Sequence, residues 1–198
     1  MSVGLGHNLG PTLEPGQSWR SHCWARARAD LLPKLPIEVI RLRVARAKEI
    51  GLDYKTYAGV RATTGHDITA FIFSTNALRL LRDHDRLAAA DAAKLMATQR
   101  LGKMLVVQPP LDAVRVIEHL TGQGVAFDAA LAAPGSTESW TKTRATFADF
   151  LRQMRQPGDQ VLLIGDTVTE RDWVGTARLA GFLPAAEYFP DFVQRAAR

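Results

Sequence analysis

The sequence predicts an α/β protein: a parallel sheet with helices on both faces, preceded by a helical N-terminal extension. Three observations predict it. Short apolar runs recur at 68–74 (ITAFIFS), 103–107 (KMLVV) and 160–164 (QVLLI). Within them the apolar residues are consecutive rather than alternating, as in strands buried on both faces. Stretches of helical period separate the runs, and strands alternating with helices at this spacing imply a parallel sheet.

The elements follow in order. Residues 1–18 mix Gly, Pro, Asn and Ser without a period and form an extended tail. WRSHCWARARADLL, 19–32, has helical character and is interrupted by Pro33 and Pro36. IEVIRLRVARAKEI, 37–50, predicts a helix with Ile37, Ile40, Val44 and Ala47 on one face. Gly51 suits its left-handed cap, and a short helix is expected over 53–61. After the first strand, helical sequence is expected at 76–82 and 88–100. The second strand is closed by Pro109 and Pro110, and a helix over 112–121 ends at Gly122. A weaker third strand covers 126–132, a long helix with Ser or Thr caps covers 137–154, and a further helix follows the fourth strand at 170–180. An edge strand is expected at 185–189. This gives a tail at 1–18, a basic helical extension at 19–64 and an α/β domain at 65–198.

Composition bounds the function classes. With 46% hydrophobic and 23% charged residues, the 198-residue chain is of globular type and long enough to bury a core. The apolar runs are too short to span a membrane, and the N-terminal stretch lacks a signal-peptide pattern. A single cysteine, Cys23, leaves no intramolecular disulfide or multi-cysteine metal site, so a cytoplasmic location is expected. Residues 1–64 carry ten Lys/Arg against five Asp/Glu, which accounts for the whole net charge of +5. Such asymmetry points to a nucleic acid or an acidic protein partner for residues 19–64, or to a basic arm packed on its own domain.

Ligands of open parallel sheets bind beyond the carboxyl ends of the strands. The residues there are Ser74, Thr75 and Asn76 after the first strand and Gln108 after the second. Residues 134–137 follow the third strand, and Asp166, Thr167 and Thr169 follow the fourth. Asp166, with Glu170 as a second acid, is the candidate for a magnesium ion, which takes one or two carboxylates plus phosphate and water. The structural alternative is that Asp166 or Thr169 caps the next helix and Glu170 lies in its first turn.

The stretch GDTVTERDWVGTARLAGF, with ITAFIFSTNALRLL before it, resembles the haloacid dehalogenase-like (HAD-like) hydrolase superfamily over about residues 68–182. That resemblance implies a Rossmann-like core, magnesium and an aspartyl intermediate. It implies that Asp166, and Glu170 or Asp172, face a metal, that Gln108 stands near the family's Ser or Thr, and that Lys142 stands near its phosphate-binding Lys. The two aspartates of the first motif fall on Ser74 and Asn76. A carboxylate is needed for the covalent step, and an amide cannot donate a proton as the second aspartate does. The chain is therefore expected to bind a phosphorylated or anionic ligand, through Ser74, Thr75, Asn76, Gln108, Lys142, Asp166 and Thr167, without the usual phosphatase chemistry. A divergent magnesium-dependent phosphohydrolase is the alternative.

A second candidate lies at 37–61. ARAKEIGLDYKTYAGVR resembles a helix-turn-helix with Gly51 at the turn, which would put Lys55, Thr56 and Arg61 on or near a DNA-recognition helix. A helical hairpin packed on the α/β domain is the competing expectation. GSTESWTKTR, 135–144, suits either an anion cradle or a capped helix start. The five histidines lack zinc-ligand spacing.

Overall fold

The computed structural model describes residues 35–135 and 137–189. The tail at 1–18 and the helix expected at 19–32, with Cys23, lie outside the described residues. The chain divides into two compact units, residues 1–40 and 41–198. The described part of the first, 35–40, holds the start of helix α1 (Ile37–Glu49).

The second unit is a five-stranded parallel sheet in the order β3-β2-β1-β4-β5. The strands are β1 (Ala70–Ser74), β2 (Gly102–Val107), β3 (Ala129–Ala132), β4 (Val161–Gly165) and β5 (Gly181–Pro184). In register, Ile72 pairs Met104 on one side and Leu163 on the other. β1 and β4 are buried at every position, which is why their sequences are unbroken apolar runs.

Alternate residues of each strand serve two separate cores, because side chains along a strand point to opposite faces. Phe71, Phe73, Leu105, Val107, Leu162 and Ile164 face one core. Ala47 of α1, Ile50 just after it, Tyr57 of α2 (Tyr54–Thr64), Leu95 of α3 (Ala89–Ala97) and Val116 and Leu120 of α4 (Ala113–Gly122) complete it. Ile72, Met104, Val106 and Leu163 face the other core, with Phe147 and Leu151 of α5 (Trp140–Gln153) and Trp173 of α6 (Val168–Ala177). Helices thus cover both faces.

Residues 41–64 belong to this second unit. Ala47, Ile50, Leu52 and Tyr57 share the core of the sheet, so the expected boundary near residue 64 falls inside one apolar cluster. Arg46 fixes the end of α1 to the amino edge of the sheet. Its Nη2 donates to the Ile68 and Arg100 carbonyls at 3.1 and 3.0 Å, and its Nη1 to Glu49 at 2.8 Å. The face expected on α1 is buried only at its end: Ala47 is enclosed, whereas Val44 is exposed. Gly51 follows at φ 72°, the left-handed conformation that glycine adopts without strain.

Two expected elements differ. Residues 76–82 form turns rather than a helix. The Leu78 and Leu80 amides donate to the Ser74 and Thr75 carbonyls, and Arg79 stands at φ 56°. Helical spacing of apolar residues arises there because Ala77, Leu78 and Leu80 all enter the core from turns. The edge strand expected at 185–189 is corrected: the strand is Gly181–Pro184, and Ala185–Tyr188 forms the single turn α7. Pro184 is its N-cap, a place where the missing N–H costs nothing. Among the described residues no helix is long and apolar enough to cross a membrane.

Candidate ligand site at the carboxyl end of the sheet

The crossovers from β1 run to β2 on one side and those from β3 run past β1 to β4 on the other, so the strand order reverses between β1 and β4. At such a switch point the loops diverge and leave a crevice. The loops that meet here are 75–81 after β1, the start of 108–112 after β2, and 166–167 after β4.

They are tied together by one carboxylate. Glu170, in the first turn of α6, is fully buried. Its Oε1 accepts from Asn76 Nδ2 at 2.9 Å and from Gln108 Nε2 at 3.1 Å. Its Oε2 accepts from the backbone amides of Asp166 at 2.7 Å and Thr167 at 3.0 Å. Thr167 Oγ1 in return accepts from the Glu170 amide at 3.2 Å, which closes a capping box. The cap is therefore Thr167, not Asp166 or Thr169. Four donors offset the desolvation of a buried carboxylate and occupy its lone pairs.

The remaining strand-end side chains are also engaged. Ser74 is fully buried, and its Oγ accepts from the Ala77 amide at 3.0 Å. Thr75, equally buried, accepts from the Gln108 amide at 3.0 Å. Both hydroxyls thus shape loops. Gly165 is required by close approach: a Cβ there would lie 2.7 Å from the Phe182 ring and 2.9 Å from Glu170 Oε2.

The solvent-facing pair is Asp166 and Arg79. Arg79 Nη1 lies 3.7 Å from Asp166 Oδ2, with each side chain about one-third exposed (34% and 33%). The neighbour of this carboxylate is thus a guanidinium. Among the described residues no group of three or more His, Cys, Asp or Glu is placed to hold a metal ion. The donor set fits magnesium poorly, because Glu170 already accepts four hydrogen bonds and a cation stands beside Asp166.

Ser74, Thr75, Asn76, Gln108, Asp166, Thr167 and Glu170 therefore converge. Lys142 does not join their hydrogen bonds; its Nζ pairs with Glu138 at 2.8 Å on exposed surface at the start of α5. That start is capped by Ser139, whose hydroxyl accepts from the Lys142 amide. Arg79 escaped the sequence reading because it sat in an expected helix, where its reach to Asp166 had no signal.

In the 37–61 segment Lys55 is exposed, while Thr56 closes the Asp53 cap of α2. Arg61 Nη1 lies 3.6 Å from Asp67 Oδ1, which also accepts from the buried Tyr57 hydroxyl at 2.7 Å. Burial, then the hydrogen bond to Asp67, raises the Tyr57 pKa.

The fold and its strand-end network define a parallel α/β protein with a buried-glutamate clamp at the switch point. No protein-family model matches the chain, and no curated protein matches it. Among solved structures, an uncharacterized protein from Corynebacterium glutamicum ATCC 13032 Kitasato is similar at 17% identity, with a TM-score of 0.41. The match covers 66% of this chain and 90% of that one.

Proposed function

We propose that the chain is a non-catalytic HAD-like protein that binds a phosphorylated or otherwise anionic small ligand at the carboxyl end of the sheet. The observation that carries this reading is the Glu170 clamp beside the Arg79–Asp166 pair. Of the acids that the resemblance turns toward a metal, Glu170 points inward as a hydrogen-bond acceptor and Asp166 has a guanidinium 3.7 Å away. The only β1 hydroxyl at the strand terminus, Ser74, is enclosed and cannot attack a ligand. What faces outward is the Arg79–Asp166 pair, whose guanidinium suits the oxygens of a phosphate or carboxylate. Magnesium is not required by this reading.

The test is a screen of phosphomonoesters with magnesium, run alongside thermal stabilisation by the same compounds. Stabilisation without turnover, lost in Arg79→Gln, is expected. Robust turnover that disappears in Asp166→Ala sinks the non-catalytic claim and favours a divergent phosphohydrolase.

A second reading, DNA binding through 37–61, draws support from the left-handed Gly51 between α1 and α2 and from exposed Lys55. It requires salt-dependent binding weakened by Lys55→Ala and Arg61→Ala, because phosphate neutralisation releases counterions. Absence of binding at low salt removes it.

A further inference from the structure

α5 and α6 pack side by side, and part of their seam is apolar: Phe147 meets Trp173 with ring centroids 5.5 Å apart. Beside the first turns of α5 the seam opens into a cavity of about 270 Å³. Thr169, Asp172, Trp173 and Thr176 line it from α6 at positions i, i+3, i+4 and i+7, one face of that helix. Trp140 and Thr143 line it from α5. A helix face turned toward a neighbouring helix is ordinarily apolar, so a polar stripe there needs a reason.

Two of these side chains are buried yet leave a polar atom without a partner. Trp173 is 5% exposed and Thr143 is 7% exposed. Among the described residues neither the Trp173 indole N–H nor the Thr143 hydroxyl makes a hydrogen bond, and neither atom is sealed from solvent. Both residues line the cavity, so the surface these atoms keep is cavity wall. A buried indole N–H usually finds an acceptor, and a helical threonine hydroxyl often turns back to the carbonyl four residues earlier. Thr176 does so, donating to the Asp172 carbonyl at 3.1 Å, whereas Thr143 does not.

The charges narrow the occupant. Glu138 at the rim pairs with Lys142 at 2.8 Å, while the Asp172 carboxylate has no ion-pair partner among the described residues. Asp172 repels an anion. A simple cation offers the Trp173 N–H no acceptor. A neutral molecule carrying hydroxyls donates to Asp172 and also accepts from Trp173 and Thr143. Trp140, 72% exposed, adds an aromatic surface for C–H groups.

We propose that this cavity binds an uncharged polyhydroxylated ring, a single sugar unit, apart from the anionic ligand of the strand ends. One ring hydroxyl donates to Asp172, another accepts from the Trp173 indole, and a C–H face lies against Trp140. A volume of about 270 Å³ is room for one such ring, near the lower end of small-ligand pockets.

Titration of the full chain with methyl glucoside, methyl galactoside and methyl mannoside tests this, followed by calorimetry and by the indole N–H resonances in NMR spectra. At least one glycoside is expected to saturate with a Kd of about 1 mM and to shift the Trp173 indole resonance, assigned from its loss in Trp173→Phe. Affinity is expected to fall about fivefold in Thr143→Val, which exchanges a hydroxyl for a methyl of the same shape, and in Trp140→Ala. Trp140 lies on the surface, so its loss reads binding rather than folding. Tetramethylammonium and inorganic phosphate serve as charged probes and are expected to leave the Trp173 resonance in place. The proposal is overturned if no glycoside saturates by about 20 mM, or if the Trp173 resonance stays still on saturation. It is equally overturned if both variants bind as the parent does, or if a charged probe shifts that resonance at the same or a lower concentration.

Discussion

The Asn76 side-chain amide donates to Glu170 Oε1 at 2.9 Å, across 94 residues of sequence. This bond joins the loop after β1 to the helix after β4, the two sides of the switch point. With Gln108 on the same oxygen and two backbone amides on the other, Glu170 holds three loops in one geometry. Replacing it by glutamine puts an NH₂ group where two donors already point. Glu170→Gln is expected to cost about 1–3 kcal/mol, and Glu170→Ala more, because the orphaned donors stay buried. Urea unfolding followed by circular dichroism measures both. A change within experimental error for either variant contradicts the clamp.

Thr167 makes the other half of the capping box. Its side chain satisfies one amide at the start of α6, so Thr167→Ala is expected to cost about 1 kcal/mol and Thr167→Ser much less. In the Glu170→Gln background the Thr167→Ala cost is expected to change, because residues in one hydrogen-bond network are not additive. A double-mutant cycle with purely additive terms would show the two groups act separately.

Gly165 carries no positive φ, yet it has no room for a methyl group. The nearest atoms to an added Cβ are the Phe182 ring at 2.7 Å, then Glu170 Oε2 at 2.9 Å. Phe182 must shift or the clamp must open. Gly165→Ala is therefore expected to destabilise by about 1–3 kcal/mol, the usual cost of overpacking. Gly59 provides the control: nothing lies within 4 Å of its added Cβ. Gly59→Ala, in the middle of α2, is expected to be neutral or stabilising, since alanine favours helix.

The sheet was legible because fully buried strands leave a local mark. AFIFS and VLLIG are apolar on consecutive positions, and no amphipathic helix has that pattern. Local pattern misled where apolar residues reached the core from a turn, as Leu78 and Leu80 do around the left-handed Arg79. The convergence of Ser74, Asn76, Gln108, Asp166 and Glu170 followed from placing loops at strand ends. The direction each side chain takes did not follow, since inward-facing Glu170 and outward-facing Asp166 are acids only four positions apart. The Arg79–Asp166 approach depends on distant packing and has no sequence signal.

Asp53 caps α2, accepting from the Thr56 hydroxyl and amide, and these bonds, hydroxyl first, hold its pKa below the usual carboxylate value of 3.8. A depressed folded pKa gives stability that is present above the unfolded value and lost as pH falls through the folded one. Asp53→Ala is expected to cost about 1 kcal/mol at neutral pH, the usual value of an N-cap. Part of that difference from the parent is expected to vanish as pH drops below 3.8. A difference independent of pH down to that range would show that the charge of the cap is immaterial.

Tyr188 tests the core from the alkaline side. Its ring is enclosed by Phe71, Phe73 and Phe189, with Lys94 Nζ 4.0 Å above it. Burial pushes its pKa from 10.0 up to about 12, against a smaller opposing effect of the Thr98 hydroxyl. The folded phenol keeps its proton while the unfolded one ionises. Its contribution to stability is therefore full below pH 10 and is lost between 10 and about 12. At about 1.4 kcal/mol per pKa unit, the loss approaches roughly 3 kcal/mol. Lys94, whose burial lowers its pKa, works in the opposite direction, so the informative quantity is the difference between parent and Tyr188→Phe. Urea midpoints measured from pH 8 to 11 are expected to fall more steeply in the parent than in Tyr188→Phe. Equal slopes would mean that the phenol ionises as readily folded as unfolded, and that water reaches this part of the core.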